Sequence, residues 1–420
     1  MTENSLKSIS PDGITGMIFA LEGIKNSVVL LNGPMGCKFY HSSISQRLMP
    51  RPRMYIPQRE GEEPSEVNFS NLNNWFFRQG RVPCTWLDSH DYVYGTAGKV
   101  EEALRFIRQN VSCDLIAVVN SPGASLIGDD LRQLAGDIFP DIPAVVLETP
   151  GFSRDYWDGT DEAIKGVLMQ AGGKLRDLPQ KETGRPSVNI IGMSLWQKYS
   201  EGNILELRRL FGLCGIDITC VLCAGCSIDD IRKVPSADLN IVIYPELGKE
   251  SAEWLEKNTG MPALILDAPP VGFDATAEMI GRVADMLGAD TSSFREELER
   301  ARAWAWYKLD QIHSASGRPN GTLFAVKSIP SEERAYERFF TDYLGMIRAK
   351  GDPGESDAEL VFADANTIAE LMLKRTEFCG IEIANPSMGY VDVVNKSTLG
   401  ISGALFLTEQ VINGFMTRMV

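Results

Sequence analysis

The sequence of 420 residues has only three histidines, His41, His90 and His313, in no zinc-protease spacing, and it has no G-x-S-x-G elbow. Hydrolases of those two kinds would lack their machinery. Neither G-x-x-x-x-G-K-[ST] nor G-x-G-x-x-G after a strand is present. A P-loop and a dinucleotide fingerprint are therefore excluded, and any ATP hydrolysis belongs to a partner. No apolar run approaches the roughly 18–20 residues that span a bilayer, and the start, MTENSLKSISPDG, has no basic region ahead of an apolar core. A cytoplasmic location is expected. Clustered positive charge is lacking as well. With 41 Lys and Arg against 56 Asp and Glu, net −15, neither nucleic acid nor an anionic membrane is an expected partner. Eight cysteines are too few for a disulfide scaffold and read as thiols or metal ligands.

The chain is rich in short β-type runs: VVLLNG (28–33), LIAVVN (115–120), AVVLET (144–149), SVNIIG (187–192), DITCVL (217–222), LNIVIY (239–244), ALILD (263–267), TLFAVK (322–327), ELVFAD (359–364) and IEIAN (381–385). Between them lie amphipathic stretches such as KVEEALRFIRQ, NILELRRLFGL and NTIAELMLKRT, with apolar residues three to four apart. Alternation of this kind predicts an α/β fold with mainly parallel sheets. The polar run RDLPQKETGRPS (176–187) and the segment SASGRPNG (314–321) divide the chain into three doubly wound units: 1–180, 181–314 and 315–420.

The first of these strands runs into NGPMGCKFYH (32–41). A Gly-Pro-Met-Gly turn brings backbone close to a ligand, and Cys37 then offers a soft thiolate at the carboxyl end of a strand, where open α/β sheets bind ligands. DITCVLCAGCSIDDI places Cys220, Cys223 and Cys226 in a C-x-x-C-x-x-C run that lacks a ferredoxin's fourth cysteine. Cys220 is expected in the core. Cys223 and Cys226 are expected at the strand end facing a cleft, either touching a cofactor or as inert thiols of a turn. Strand ends and helix starts add Ser194, Glu246, Asp274, Asn385 and Ser387 as cleft-lining candidates.

Four segments in order, GMIFALEGIKNSVVLLNGPMGC (16–37), TWLDSHDYVYGTAGKVEEAL (85–104), SPGASLIGDDL (121–131) and STLGISGALFLTEQVIN (397–413), resemble the catalytic-component subunits of the nitrogenase superfamily. The resemblance implies three Rossmann-like α/β domains and an iron–sulfur cluster, of [4Fe–4S] type, shared at a subunit interface. It implies two partners: an ATP-dependent iron–sulfur reductase resembling the nitrogenase iron protein, and a homologous subunit or a second copy of this chain. A second metallocofactor or a tetrapyrrole in the inter-domain cleft is a further expectation.

Residue by residue, Cys37 falls on the family's second cluster ligand, with Gly36 in its G-x-x-G-C context. The first family cysteine falls on Asp12, a candidate carboxylate ligand of the kind used on one subunit in the tetrapyrrole-reducing branch; the alternative is a turn aspartate in SPDG. The third falls on Pro122, which cannot ligate, so the ligand set must be completed by a partner chain or, in a homodimer, by Cys37 with Asp12, Cys84 or Cys113. Cys84 and Cys113 also read as small buried thiols. The cysteine and histidine that hold the nitrogen-fixing branch's large cofactor fall on Tyr244 and near Leu399, so that cofactor is not expected. A reductase subunit is the leading reading, and a noncatalytic partner or cofactor-assembly scaffold is the alternative. A receptor built from tandem doubly wound domains is disfavoured because no signal segment is visible.

Overall fold

The structure, a computed structural model, describes residues 11–38, 82–148, 154–172, 184–354, 356–375, 377–383 and 392–419. Asn385 and Ser387 lie outside them.

Runs rich in Val, Ile and Leu form strands buried on both faces, which requires helices on each side. In the first sheet β1 (Ser27–Asn32), β2 (Leu115–Asn120) and β3 (Ala144–Glu148) pair in parallel in the order β1-β2-β3. Its helices are α1 (Gly13–Glu22), α2 (Ser89–Tyr94), α3 (Ala97–Asn110), α4 (Pro122–Ser125), α5 (Leu131–Ile138) and α6 (Tyr156–Ala171). The α1 sequence, GITGMIFALE, is buried along its whole length and packs against α6. Glycine makes that approach feasible. A Cβ on Gly16 would lie 2.0 Å from the Tyr156 carbonyl oxygen, and one on Gly159 would lie 1.9 Å from that of Gly13. Gly16→Ala is therefore expected to destabilise the protein by about 1–3 kcal/mol. Gly98→Ala, in α3 with nothing within 4 Å of the added methyl, should stabilise slightly. Guanidinium unfolding midpoints of the two variants check this.

The second sheet contains β4 (Ser187–Ile191), β5 (Asp217–Val221), β6 (Leu239–Val242) and β7 (Ala263–Ile265), ordered β5-β4-β6-β7. Around it run α7 (Ser200–Leu213), α8 (Ile228–Lys233), α9 (Lys249–Thr259), α10 (Gly272–Leu287) and α11 (Ser292–Ser316). The third sheet contains β8 (Leu323–Val326), β9 (Ile347–Arg348), β10 (Leu360–Ala363) and β11 (Cys379–Glu382), ordered β11-β10-β8-β9, with α12 (Pro330–Arg338), α13 (Ala365–Lys374) and α14 (Gly400–Met419). All pairings between these strands are parallel, and the isolated bridge between Asp12 and Asp155 is antiparallel. The expected α/β class with three parallel sheets is thus the observed one.

In the second and third sheets the chain winds one way and then reverses, between β4 and β6 and between β8 and β10. Ligands of open α/β sheets bind outside the carboxyl ends of strands at such reversals. Polar contacts tie the sheets together there and nearby. Asp161 of α6 accepts from the Glu250 and Ser251 backbone N–H groups at 2.7 and 2.9 Å, capping α9, whose own N-cap is a glycine. Glu246, after β6, accepts from the Ser331 N–H at 2.7 Å and the Ser331 hydroxyl at 2.6 Å, joining the second sheet to α12.

Candidate functional site

At the carboxyl edge of the first sheet, Cys37 ends a short 3-10 turn, Met35–Lys38, and is half-buried, while Gly36 is exposed with open space around its Cα. The turn is held from below by buried amides. Asn32 donates to Thr96 Oγ1 at 2.9 Å and to Asn120 Oδ1 at 2.8 Å, and its Oδ1 accepts from the Thr85 hydroxyl at 2.8 Å. Thr85 Oγ1 in turn accepts from the Gly33 N–H at 3.1 Å. Gly33 is required because its Cβ would lie 2.7 Å from that of Ser121. Asn32→Ala leaves several buried polar groups without partners, so a loss of about 1–3 kcal/mol is expected, measurable as a shift of the urea midpoint.

Asp12 and Cys84 approach Cys37. Asp12 is the N-cap of α1, accepting from the Thr15 N–H at 2.9 Å and the Thr15 hydroxyl at 2.7 Å, with its side chain on the surface. Cys84 is fully buried in a segment that bridges β1 at Leu31. Burial, and then the negative charges of Asp12 and Cys84, push the Cys37 thiol above its ordinary pKa. Two thiols and a carboxylate gathered at one edge are a donor set suited to a positively charged, thiolate-binding guest. Still, no group of three or more His, Cys, Asp or Glu among the described residues is placed to hold a metal ion by itself. The donor chemistry suits a share of a thiolate-bound cluster and falls short of a whole ligand set.

The same edge is unusually apolar. Tyr92, whose phenol feels the Cys37 charge, is 37% exposed, and Trp86 (49%), Val93 (73%), Tyr94 (76%) and Leu126 (87%) stand on neighbouring segments. Pro122 opens α4, where its missing N–H costs nothing. Cys113 packs in the core with Ile116 and Val118, and burial raises its pKa to about 12.

The second cysteine group is sealed. Cys220, Cys223 and Cys226 are each no more than 3% exposed, with the Cys223 N–H 3.3 Å from Cys226 Sγ. A hydrogen bond with Cys226, then burial, raises the Cys220 thiol; burial, then the Cys226 charge, raises Cys223. Cys223 adopts a left-handed φ of 53°, and its carbonyl occupies the place a Cβ on Gly23 would take. The Gly225 N–H donates to Gly23 O and the Lys25 N–H to Cys226 O, both at 2.8 Å. This turn therefore joins the second sheet to the α1–β1 loop.

A second convergence lies at the two chain reversals. From beyond β4 come Ser194 and Gln197, from beyond β6 Tyr244 and Glu246, from the β8–α12 connection Ser328, from α12 Glu332 and Tyr336, and from α6 Tyr156. Tyr156 donates to Ser194 at 3.4 Å, and the Ser328 hydroxyl donates to Glu332. Gln197 contacts the Tyr244 phenol and Thr398 the Tyr336 hydroxyl, each opposing in part the rise that burial gives those phenols. Burial raises Glu332 to about 8, with Ser328 opposing the rise and Glu246 and Glu333 adding to it. Of these residues the sequence pointed to Ser194 and Glu246 as cleft-lining candidates, and to Tyr244 only as the place of a family ligand that is lost. Glu332, Gln197, Tyr156, Ser328 and Tyr336 were missed, and only the strand order could have signalled them. Asp274 instead stands on the surface, paired with Arg302 at 2.8 Å. Leu399 is buried beside Asn203, whose Oδ1 accepts from the Thr398 and Leu399 N–H groups.

Residues 13–349 match the family of nitrogenase component 1 type oxidoreductases. The chain belongs to that family. Among curated relatives, a subunit of the light-independent protochlorophyllide reductase of Synechococcus sp. (strain CC9605) is 31% identical over 264 residues, covering 60% of this chain and 49% of the relative. The subunit of the same name from Halorhodospira halophila is 27% identical over 295 residues, 68% of this chain and 55% of the relative. The chain thus spans about half the length of the curated relatives it matches. In structure it resembles nitrogenase Cp1 at pH 6.5, with a TM-score of 0.73 at 16% identity over 98% of this chain and 93% of that one. The agreement in fold extends over nearly the whole chain. Among the described residues, no helix is long and apolar enough to cross a membrane.

Proposed function

We propose that this chain is a component 1 subunit of a nitrogenase-like reductase. It takes electrons from an ATP-dependent iron–sulfur reductase and reduces a substrate in the cleft where the second and third sheets reverse. The observation that carries this reading is the convergence of Cys37, Asp12 and Cys84 at the carboxyl edge of the first sheet, incomplete as a ligand set and flanked by exposed aromatic residues. An incomplete site beside an apolar edge calls for a second chain, either a homologous component 1 subunit or another copy. A [4Fe–4S] cluster shared there would supply one-electron transfer at low potential. Cys37 holds it, Asp12 is the second donor, Gly36 leaves the approach open, and Cys84 lies behind. Thiols of this kind persist in a reducing, cytoplasmic compartment.

For the substrate we propose a tetrapyrrole. The protochlorophyllide reductase subunits among the relatives and the carboxylate at position 12 support this class. Without the cysteine and histidine of the nitrogen-fixing branch, the cleft recognises its guest through phenols, amides and a carboxyl. Cys223 and Cys226 then act through packing at the seam, touching a cofactor only if that turn opens.

The second reading is a noncatalytic partner subunit or assembly scaffold, favoured by Pro122 and by the apolar burial of Leu399. Electron uptake separates the two. The chain, purified anaerobically with its homologous subunit, is mixed with an ATP-dependent iron–sulfur reductase and followed by electron paramagnetic resonance. An ATP-dependent reduced-cluster signal supports the reductase; its absence, with the reductase hydrolysing ATP normally, leaves the scaffold.

A further inference from the structure

The reversals of the second and third sheets face each other across one cluster of polar side chains. Glu332 sits in the first turn of α12, just beyond β8, where the third sheet reverses. Tyr244 and Gln197 come from beyond β6 and β4, where the second sheet reverses. Tyr156 reaches the same place from α6 of the first unit. Each reversal alone is a place where a doubly wound sheet binds its ligand. Two of them opposed leave one shared location.

Glu332 is an odd residue to find there. It is 3% exposed and forms no ion pair among the described residues, and its hydrogen bond comes from the Ser328 hydroxyl. The titratable groups facing it are Glu246 and Tyr244 from beyond β6, Tyr156 from α6, and Glu333 and Tyr336 from its own helix, none of them a cation. A buried carboxyl without a counter-charge stays neutral by keeping its proton. Beside it, Gln197 lies against the Tyr244 phenol and Thr398 against the Tyr336 hydroxyl, so the surroundings of Glu332 are polar but bring it no cation.

We propose that Glu332 is the proton donor for the reduction carried out in this cleft. The inference rests on the reductase reading above. Two electrons arrive one at a time from the ATP-dependent iron–sulfur reductase, and two protons add across one carbon–carbon double bond of the substrate. The Glu332 O–H bond breaks as one new C–H bond forms, and the second proton comes from water. Glu332 is left as a carboxylate that accepts from Ser328, and it regains its proton from water when product leaves. The acid suits the task because it holds a proton at neutral pH and releases it near there.

The test uses the full chain with its homologous subunit, comparing wild type, Glu332→Gln and Glu332→Asp, with protochlorophyllide as the probe. Infrared difference spectra against pH report the acid without any turnover. A protonated-carboxyl band that fades near pH 8 is expected in the wild type and absent in Glu332→Gln. In single turnovers driven by the reductase and MgATP, Glu332→Gln should reduce the probe about 100-fold or more slowly, with probe binding and cluster reduction unchanged. Glu332→Asp should retain part of the rate, and the wild-type rate should fall above about pH 8. A Glu332→Gln protein that keeps the wild-type rate, or that keeps the infrared band, overturns the proposal and leaves the reductase reading standing. A wild type that takes no electrons from the reductase overturns that reading and the proposal together. A wild type that takes up electrons but leaves the probe unreduced overturns the tetrapyrrole assignment and the proton transfer proposed for it.

Discussion

Cys37→Ala, purified without oxygen beside its homologous subunit, is expected to lose iron and acid-labile sulfide, whereas the wild type carries about four irons per subunit pair. The size of the effect follows from the donor set. Cys37 is the half-exposed thiol at the edge, Cys84 lies fully buried behind it, and Pro122 offers no donor atom. Because the Cys37 thiol sits above its ordinary pKa, pushed there by burial and by Asp12 and Cys84, iron must displace a proton to bind. Iron uptake on reconstitution should therefore rise with pH. Asp12 allows a cleaner separation of fold from ligation. Asparagine caps a helix about as well as aspartate, so Asp12→Asn keeps the bond to Thr15 while removing the anionic oxygen. If Asp12 is a ligand, Asp12→Asn lowers iron content without lowering the melting temperature. Full iron in both Cys37→Ala and Asp12→Asn would remove the cluster from this loop.

The sheets were legible because their strands are continuous apolar runs flanked by turn residues, and LIAVVN forms β2 over the residues expected. The pair Ile347–Arg348 of β9 was not, since two exposed residues carry no period. For the first site the resemblance brought Cys37, Asp12 and Cys84 forward, and the shared field of these three side chains is a fact of folding. The thiol run illustrates the opposite limit. Nothing local in VLCAGCS says that the Cys223 carbonyl fills the space left by the hydrogen of Gly23, a contact between segments remote in sequence. Glu332 was hidden for a related reason. In IPSEERAYER, a carboxylate after proline in the first turn of a helix reads as a solvated charge favoured by the helix dipole. What removes it from water is Tyr156, Tyr244 and Tyr336, two of which come from other units of the chain.

That burial makes Glu332 a determinant of how stability varies with pH. Its folded-state pKa is raised to about 8 from an ordinary 4.5, so between those values the folded protein holds a proton that the unfolded chain has released. Stability therefore falls with rising pH across this window: the contribution is complete below the unfolded value and is lost as pH passes through the folded one. Glutamine has nothing to release and can still accept from Ser328. Glu332→Gln should match the wild type near pH 5 and exceed it near pH 8 by an amount on the order of a few kcal/mol. Asp161, also raised by burial, tilts both proteins alike and cancels when one stability curve is subtracted from the other. Denaturant unfolding at a series of pH values decides the matter. Parallel curves for the two proteins would mean that Glu332 is ionised in the folded state, and a carboxylate already without its proton cannot serve as the acid of the cleft.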